Sequence, residues 1–314
     1  MYNYNHLYYF YVTAKSGGVG AAAKHLSISQ PSLSSQLKVL ERSLDVRLFQ
    51  KVGRHNQLTE AGSVIFGFCR QMFEISEEMG ELISKKVPSA ARRIHIGVSE
   101  EVDRPFVVEV VSLFLKKHGL AQRPKVSVVS GTHEQLTERL RFRELDVVVT
   151  QLAMIDPELE NLERAEVPVA LTCSSQWRLR TNRRGLKDLK APAVIREIVG
   201  GEEAQWLMPS SRFRLRAETD RFFEANELKG RIVFESDVIS SLVRSVIDGI
   251  GLAFLPLLYV AREIREKSVR VIGPKEGYWK YRVGLACHGQ NKNDVLIKAL
   301  ARSFKEICEQ ALVG

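Results

Sequence analysis

The sequence predicts an α/β chain in three parts: a helical head closed by a β-hairpin, one long helix, and a large region of alternating strands and helices. Three observations carry this. Residues 4–41 hold three runs with apolar residues at helical spacing, followed by two short apolar pieces around a Gly-Arg-His-Asn tip. After Thr59 the apolar residues recur in strict steps of three and four as far as Leu82. From Arg93 onward short β-branched runs alternate with helical patterns, the signature of a mostly parallel sheet covered by helices.

Bulk properties bound the reading. With 314 residues and 45% hydrophobic content the chain can build more than one core. No stretch approaches the roughly 18 uncharged apolar residues of a membrane span. The aromatic N-terminus carries no basic segment leading into an apolar run, so a cytoplasmic location is expected. Cys69, Cys173, Cys287 and Cys308 are scattered without a CxxC pair, so reduced, buried thiols are expected, with no metal site and no cofactor. Net charge is +9, and residues 1–62 hold seven Lys/Arg against three Asp/Glu. That local excess is the footprint of a polyanion partner.

In the head, Tyr4–Lys15 reads as a helix with Asn5 as its N-cap, ended by Ser16-Gly17-Gly18. Val19–Leu26 is a second helix, in which Ala22 and Ala23 permit close approach. A third starts near Ser29, with Pro31 tolerated in its first turn. Its Leu33, Leu37 and Leu40 form one buried stripe, and the opposite face carries Gln30, Ser32, Ser34, Ser35, Gln36 and Lys38. An ordinary exposed helix face is rich in Glu and Lys. Here the residues are short or planar hydrogen-bonders with one base, the chemistry that reads base edges and neutralises phosphate. Leu44 to Thr59 then reads as a β-hairpin wing presenting Lys51, Arg54 and His55 to the DNA backbone or minor groove. Together these make a winged helix-turn-helix over residues 1–59, its DNA contacts being Gln30, Pro31, Ser32, Ser34, Ser35, Gln36, Lys38, Lys51, Arg54 and His55.

The string Ala22-Ala23…Leu26…Ser29-Gln30-Pro31-Ser32-Leu33-Ser34…Gln36-Leu37…Leu40-Glu41…Leu44…Leu48-Phe49…Arg54…Leu58-Thr59…Ala61-Gly62 closely resembles the N-terminal signature of LysR-type transcriptional regulators. Asp45 stands where that family usually has Gly, and Asp tolerates a left-handed backbone. The resemblance implies a sequence-specific regulator of double-stranded DNA, acting on pseudo-palindromic operators as a homodimer or homotetramer, with RNA polymerase as a further partner.

Residues 60–87 form the linker helix, capped by Thr59. Its seam is Ile65, Phe68, Met72, Ile75, Met79 and Leu82, a repeat that favours a two-helix dimer interface. In LysR-type proteins the equivalent helix pairs two chains. Val87-Pro88-Ser89-Ala90-Ala91 ends it, with residues 88–91 the hinge.

Residues 92–314 read as a two-lobed α/β sensor, lobe I over 92–162 and 271–314 and lobe II over 163–270. Strands are expected at Ile94–Val98, Val126–Ser130, Leu145–Thr150, Val167–Thr172, Arg231–Glu235, Leu252–Pro256, Val269–Ile272 and Tyr281–Ala286. Helices are expected at Pro105–His118, His133–Phe142, Arg216–Ala225, Ile239–Ile247 and Asp294–Ala311. The order resembles the periplasmic-binding-protein-like effector domain of the same family. Ligands of such sheets bind at the carboxyl ends of strands. That rule nominates Ser99, Glu100, Ser130, Thr132, His133, Thr150, Gln151, Ser236 and Asp237 as effector contacts, each of which could equally serve only as a turn or cap. The turn Gly249-Ile250-Gly251-Leu252 also resembles the family's. Asn3-Tyr4-Asn5-His6-Leu7-Tyr8-Tyr9-Phe10 and Ser130-Gly131-Thr132-His133-Glu134-Gln135-Leu136 resemble the sodium-responsive NhaR subgroup, which implies Na⁺ or pH stress as the signal.

Competing readings are weaker. The sequence has no GxSxG, HExxH, GxxxxGK[ST] or GxGxxG, so no enzyme is expected. The alternative is a ligand-binding protein that shares the sensor fold without specific DNA regulation. The head's composition opposes both that alternative and a non-specific architectural binder.

Overall fold

The computed structural model describes residues 3–52, 55–85, 93–120, 123–177, 204–274 and 276–313, and of residues 52, 55, 78, 81–85 and 311–313 the backbone alone. Arg54, the hinge 88–91 and the side chains of His55 and Leu82 therefore lie outside the described residues. The described chain forms two compact units, one of residues up to 95 with 118–127 and 138–146, the other of the remainder.

The first unit opens with α1 (Tyr4–Lys15), α2 (Val19–Leu26) and α3 (Gln30–Leu44), the hairpin β1 (Phe49–Val52) and β2 (His55–Leu58), and α4 (Glu60–Lys85). Asn3, not Asn5, caps α1: its side chain accepts from the backbone N–H of Asn5 at 2.9 Å and His6 at 3.4 Å. The helix begins two residues earlier than an Asn5 cap allows, because Tyr4 is already helical. Ser29 caps α3 by accepting from Ser32 N–H, and Asp45 ends it in the left-handed region at φ 54°. Phe10, Ala22, Leu33, Leu40 and Leu48 are almost fully buried in one core. Tyr11 stacks on Phe66 of α4, which ties the long helix to the head.

The larger unit is built on a seven-stranded sheet of order β10-β6-β11-β5-β3-β4, with β9 also paired to β6. Its strands are β3 (Arg93–Ser99), β4 (Lys125–Gly131), β5 (Val147–Thr150), β6 (Leu159–Ser174), β9 (Ala253–Pro256), β10 (Val269–Ile272) and β11 (Trp279–His288). A separate parallel pair joins β7 (Gln205–Pro209) to β8 (Arg231–Ser236). The helices are α5 (Arg104–Lys116), α6 (His133–Arg141), α7 (Arg214–Ala225), α8 (Ile239–Ile247), α9 (Leu257–Arg265) and α10 (Val295–Val313).

The expectation of a mostly parallel sheet is corrected. β3–β5 and β7–β8 are parallel, but β6 pairs antiparallel with β9, β10 and β11, and β11 antiparallel with β5. The apolar runs of these strands are buried whichever way a neighbour runs, so burial does not reveal direction. β6 runs through 16 residues and is shared: β11 lies along Leu159–Val169, while β9 and β10 take its final stretch up to Ser174. β7 and α9 are elements that the sequence reading lacks. The thiols of Cys69, Cys173, Cys287 and Cys308 are free and buried, and burial raises each, Cys69 and Cys287 to about 11. Among the described residues no helix is long and apolar enough to cross a membrane.

Candidate DNA interface and effector site

The candidate recognition surface is built by burying one face of α3. Leu33 and Leu40 have no exposed area and Leu37 is 5% exposed, so the opposite face must point outward. Gln30, Pro31, Ser32, Ser35 and Lys38 are exposed there, and Ser34 and Gln36 flank the buried stripe. Gln30 also leans on α2, because a Cβ at Gly20 would come 2.9 Å from its amide nitrogen. Lys51 is exposed on β1. Lys38, Arg42 and Arg47 border an open recess at the end of α3, adding two bases to the predicted set.

What holds the wing is a residue quoted in the signature but assigned no role there. The Glu41 carboxylate accepts from the N–H groups of Leu48 at 2.7 Å and Phe49 at 3.3 Å. Thr59 closes the other side: its hydroxyl donates to the Arg47 carbonyl and accepts from Gly62 N–H, capping α4 as expected. Gly62 is required by close approach, since a Cβ there would sit 2.1 Å from the Leu48 carbonyl oxygen.

Along α4 the predicted seam divides. Phe68, Ile75 and Met79 are 51%, 66% and 55% exposed, whereas Ile65 and Met72 pack partly against the head core. A second face of α4 docks on residues 142–146 and His95. Arg70 is 6% exposed. Its guanidinium donates to the Arg143 carbonyl through Nε at 3.1 Å and Nη2 at 2.5 Å, and pairs with Glu74 and Asp146 at 3.3 Å each. Nη1 lies 2.7 Å from His95 Nδ1, and Asp146 accepts from His95 N–H at 2.7 Å. Burial pushes the Asp146 carboxyl up, but His95 and Arg70 override it and hold it below the usual range. Burial raises Glu74 against the pull of Arg70 and His95. A Cβ at Gly67 would meet the Phe142 carbonyl at 2.0 Å, so α4 sits here in backbone contact.

The strand-end residues come from the larger unit. Val98 pairs with Val149, which sets Ser99–Glu100 beside Thr150–Gln151 at one edge. Pro209 pairs with Ser236, bringing Arg212 and Asp237 to the ends of β7 and β8. Arg212 joins the two groups through Glu100 at 3.3 Å and Asp237 at 3.1 Å. Thr150 Oγ1 lies 3.1 Å from His133 Nδ1 and accepts from Leu152 N–H. Burial lowers the His133 imidazole, against the raising charge of Glu134. Ser99 is buried, and the Ser130 hydroxyl stands 3.4 Å from Arg104. Thr132 is spent on a reciprocal cap with Gln135, and Ser236 on Val238 N–H and the Ser241 hydroxyl.

Glu101 and Asp103 are absent from the sequence reading, which nominates Ser99 and Glu100 and goes no further along this loop. Glu101 accepts from Arg214 N–H at 2.8 Å, at the first turn of α7, and its carbonyl accepts from the Tyr281 hydroxyl. Burial raises its carboxyl. Asp103, 2% exposed, is pushed by burial to about 7. Next to this edge a recess of about 220 Å³ is lined by Gln151, Asn161, Arg164, Glu166, Arg282 and Gly284 among others.

A helix presenting hydrogen-bonding side chains beside a hairpin wing, followed by a sheet with polar strand ends and a recess, defines a DNA-binding regulator with an attached sensor region. The family description "Bacterial regulatory helix-turn-helix protein, lysR family" matches residues 4–63, and "LysR substrate binding domain" matches residues 89–309. The chain belongs to the LysR family of DNA-binding transcription regulators with an effector-binding domain. It is similar to the transcriptional activator protein NhaR of Escherichia coli (strain K12), 26% identical over 277 residues, 87% of this chain and 86% of that protein. Among solved structures it resembles a full-length OxyR variant from Pseudomonas aeruginosa, with a TM-score of 0.64, 18% identity, and 97% and 95% of the two chains covered. Full-length CbnR complexed with its target DNA gives 0.55 at 18% identity, covering 98% and 100%.

Proposed function

We propose that this regulator reads operator DNA as a homodimer, with α3 in the major groove and the β1–β2 wing on the backbone. The observation that carries this is the Gln30-Pro31-Ser32…Ser35…Lys38 face, held outward by three buried leucines. Ser34 and Gln36 complete the base-reading set, and Lys38, Lys51, Arg54 and His55 hold phosphates. The exposed Phe68, Ile75 and Met79 support α4 as the pairing helix, with Ile65, Met72 and Leu82 completing the seam. In this reading residues 1–59 are the head, 60–87 the linker, 88–91 the hinge and 92–314 the two-lobed sensor, all in the cytoplasm. A small effector at the strand ends alters the lobe arrangement and with it the spacing of paired heads, in a dimer or tetramer that contacts RNA polymerase. The similarity to NhaR supports activation as the outcome and Na⁺ or pH as signals to try first.

Fluorescence anisotropy of the full chain on DNA upstream of its own gene, against scrambled DNA near physiological salt, tests the reading. Specific regulators prefer their operator by about a thousandfold or more. Absence of binding even at low salt overturns it.

A further inference from the structure

We propose that Glu41 is the positioning residue of the wing, fixing the foot of β1 to α3 so that helix and hairpin meet DNA as one rigid surface, an inference that rests on the DNA-reading assignment above. Glu41 is a charge out of place. It sits on α3 itself, at a recess that it shares with Lys38, Arg42 and Arg47. A carboxylate there weakens the local positive field that a polyanion partner needs. It is half-buried, and it makes no ion pair with those bases among the described residues. Arg42 turns back instead to the Lys38 carbonyl at 3.3 Å.

The Glu41 side chain is directed elsewhere. Its Oε1 accepts from two successive backbone N–H groups, Leu48 at 2.7 Å and Phe49 at 3.3 Å. The carbonyl of the same Leu48 accepts from Thr59 N–H at 3.0 Å, beside the start of α4. Residue 48 is thus tied to α3 through its N–H and to the entry of α4 through its C=O. Its side chain has no exposed area. An apolar anchor alone leaves a hairpin free to pivot, whereas two directional bonds fix its angle. The backbone bond from Val46 N–H to the Glu41 carbonyl, at 3.2 Å, closes the helix end before the wing begins, so it is the side chain that reaches the strand.

Position passes from this foot to the bases of the wing. β1 has four residues, in register with β2 from Phe49–Leu58 to Val52–His55. The exposed Lys51 takes its place from residues 48 and 49, and so does the hairpin tip. A tilt at Leu48–Phe49 moves them against the DNA backbone. It leaves the outward face of α3 where it was, since Leu33, Leu37 and Leu40 hold that face independently.

The role needs an oxygen at that reach, not the charge. Glu41→Gln and Glu41→Met both remove the charge at similar bulk, and only Gln keeps an oxygen acceptor. Fluorescence anisotropy of the full-length protein on its upstream DNA and on scrambled DNA, across a range of salt, counts the phosphates neutralised. Glu41→Met is expected to lower the salt slope by about one to two units on both DNAs, the loss of Lys51 and Arg54 contacts. Glu41→Gln is expected to keep the slope and to bind at least as tightly as the unaltered protein. Lys51→Ala is expected to lower the slope in the unaltered protein and to change it little in Glu41→Met. A merely structural role would lower the melting temperature and leave the slope alone. Relief of a repulsive charge would strengthen binding equally in Gln and Met. Either pattern overturns the proposal. Should Glu41→Met not fold, Glu41→Asp keeps the charge but withdraws the oxygen; it carries the same expectation, and an unchanged slope there overturns the role. Unaltered protein that binds neither DNA at low salt removes the DNA-reading assignment itself. Unaltered protein that prefers the upstream DNA, with an unchanged slope in Glu41→Met, removes the role of Glu41 alone.

Discussion

Replacing Arg70 by Met keeps much of the side chain's bulk and removes its charge and its donors. In the intact protein that guanidinium satisfies the Arg143 carbonyl through two nitrogens and faces two carboxylates at 3.3 Å each. Without it, Glu74 and Asp146 remain mostly buried, like-charged and unbalanced, with His95 as their nearest remaining basic neighbour. Removing one partner of a buried ion pair costs about 3–5 kcal/mol. The amide of His95, which donates to Asp146 at 2.7 Å, reports on this locally. If its protection is set by opening of this region, about 3 kcal/mol accelerates its hydrogen exchange by about 150-fold, and about 5 kcal/mol by several thousandfold. The double variant Arg70→Met with Asp146→Asn should recover part of the loss, because one stranded charge is gone. Acceleration below about fivefold, or no recovery in the double variant, would refute the claim that Arg70 holds α4 against residues 142–146.

Further outcomes follow from the same reasoning. Asp103→Asn should stabilise the protein at high pH. The folded carboxyl is raised from 3.8 to about 7, so its contribution is fully present below the unfolded value and is lost as pH rises through 7. The gain approaches roughly 4 kcal/mol above about pH 7 and vanishes below about pH 4, and urea midpoints measured across that range check it. Gly62→Ala should cost about 1–3 kcal/mol, or unseat the wing, because no rotamer relieves a Cβ at 2.1 Å from a backbone oxygen; thermal melting and operator affinity read both effects. Gln30→Ala should lower discrimination between operator and scrambled DNA by about 1–3 kcal/mol. Lys38→Ala should instead weaken both DNAs alike and flatten the salt dependence by about one unit.

The head was legible because its determinants are local. The bounds of α1 and α2 follow from helical spacing between glycines and caps, and Asp45 takes the left-handed geometry that its place in the signature demands. The Asn3 cap was misplaced by two residues because Asn3 and Asn5 carry the same chemistry. α9 escaped notice because Leu257-Leu258-Tyr259-Val260 continues the apolar run of β9 without a break, which conceals its helical period. Long-range partners were out of reach altogether. Arg70 meets groups 25 to 76 positions away, and Glu101 meets Arg214 113 positions away. Strand-end logic nominates Thr150 and Gln151, which do lie at the end of β5, yet the recess beside Gln151 depends on β6 and β11 lying side by side, a pairing no single segment encodes.

The sharing of β6 bears on how the chain is made. β11 inserts between β5 and β6, and Leu159 pairs with His288. At the ribosome's pace of roughly 5–20 residues per second, β6 waits on the order of ten seconds for its neighbour to be synthesised. Throughout that interval Leu159–Val169, the stretch of β6 that β11 covers, and the free edge of β5 stand open to other chains. A message truncated before Trp279 would therefore release a sensor whose sheet is split, a substrate for chaperones or proteases. Quality control of this regulator thus falls on the codons of β11, far along the chain from the residues that touch DNA.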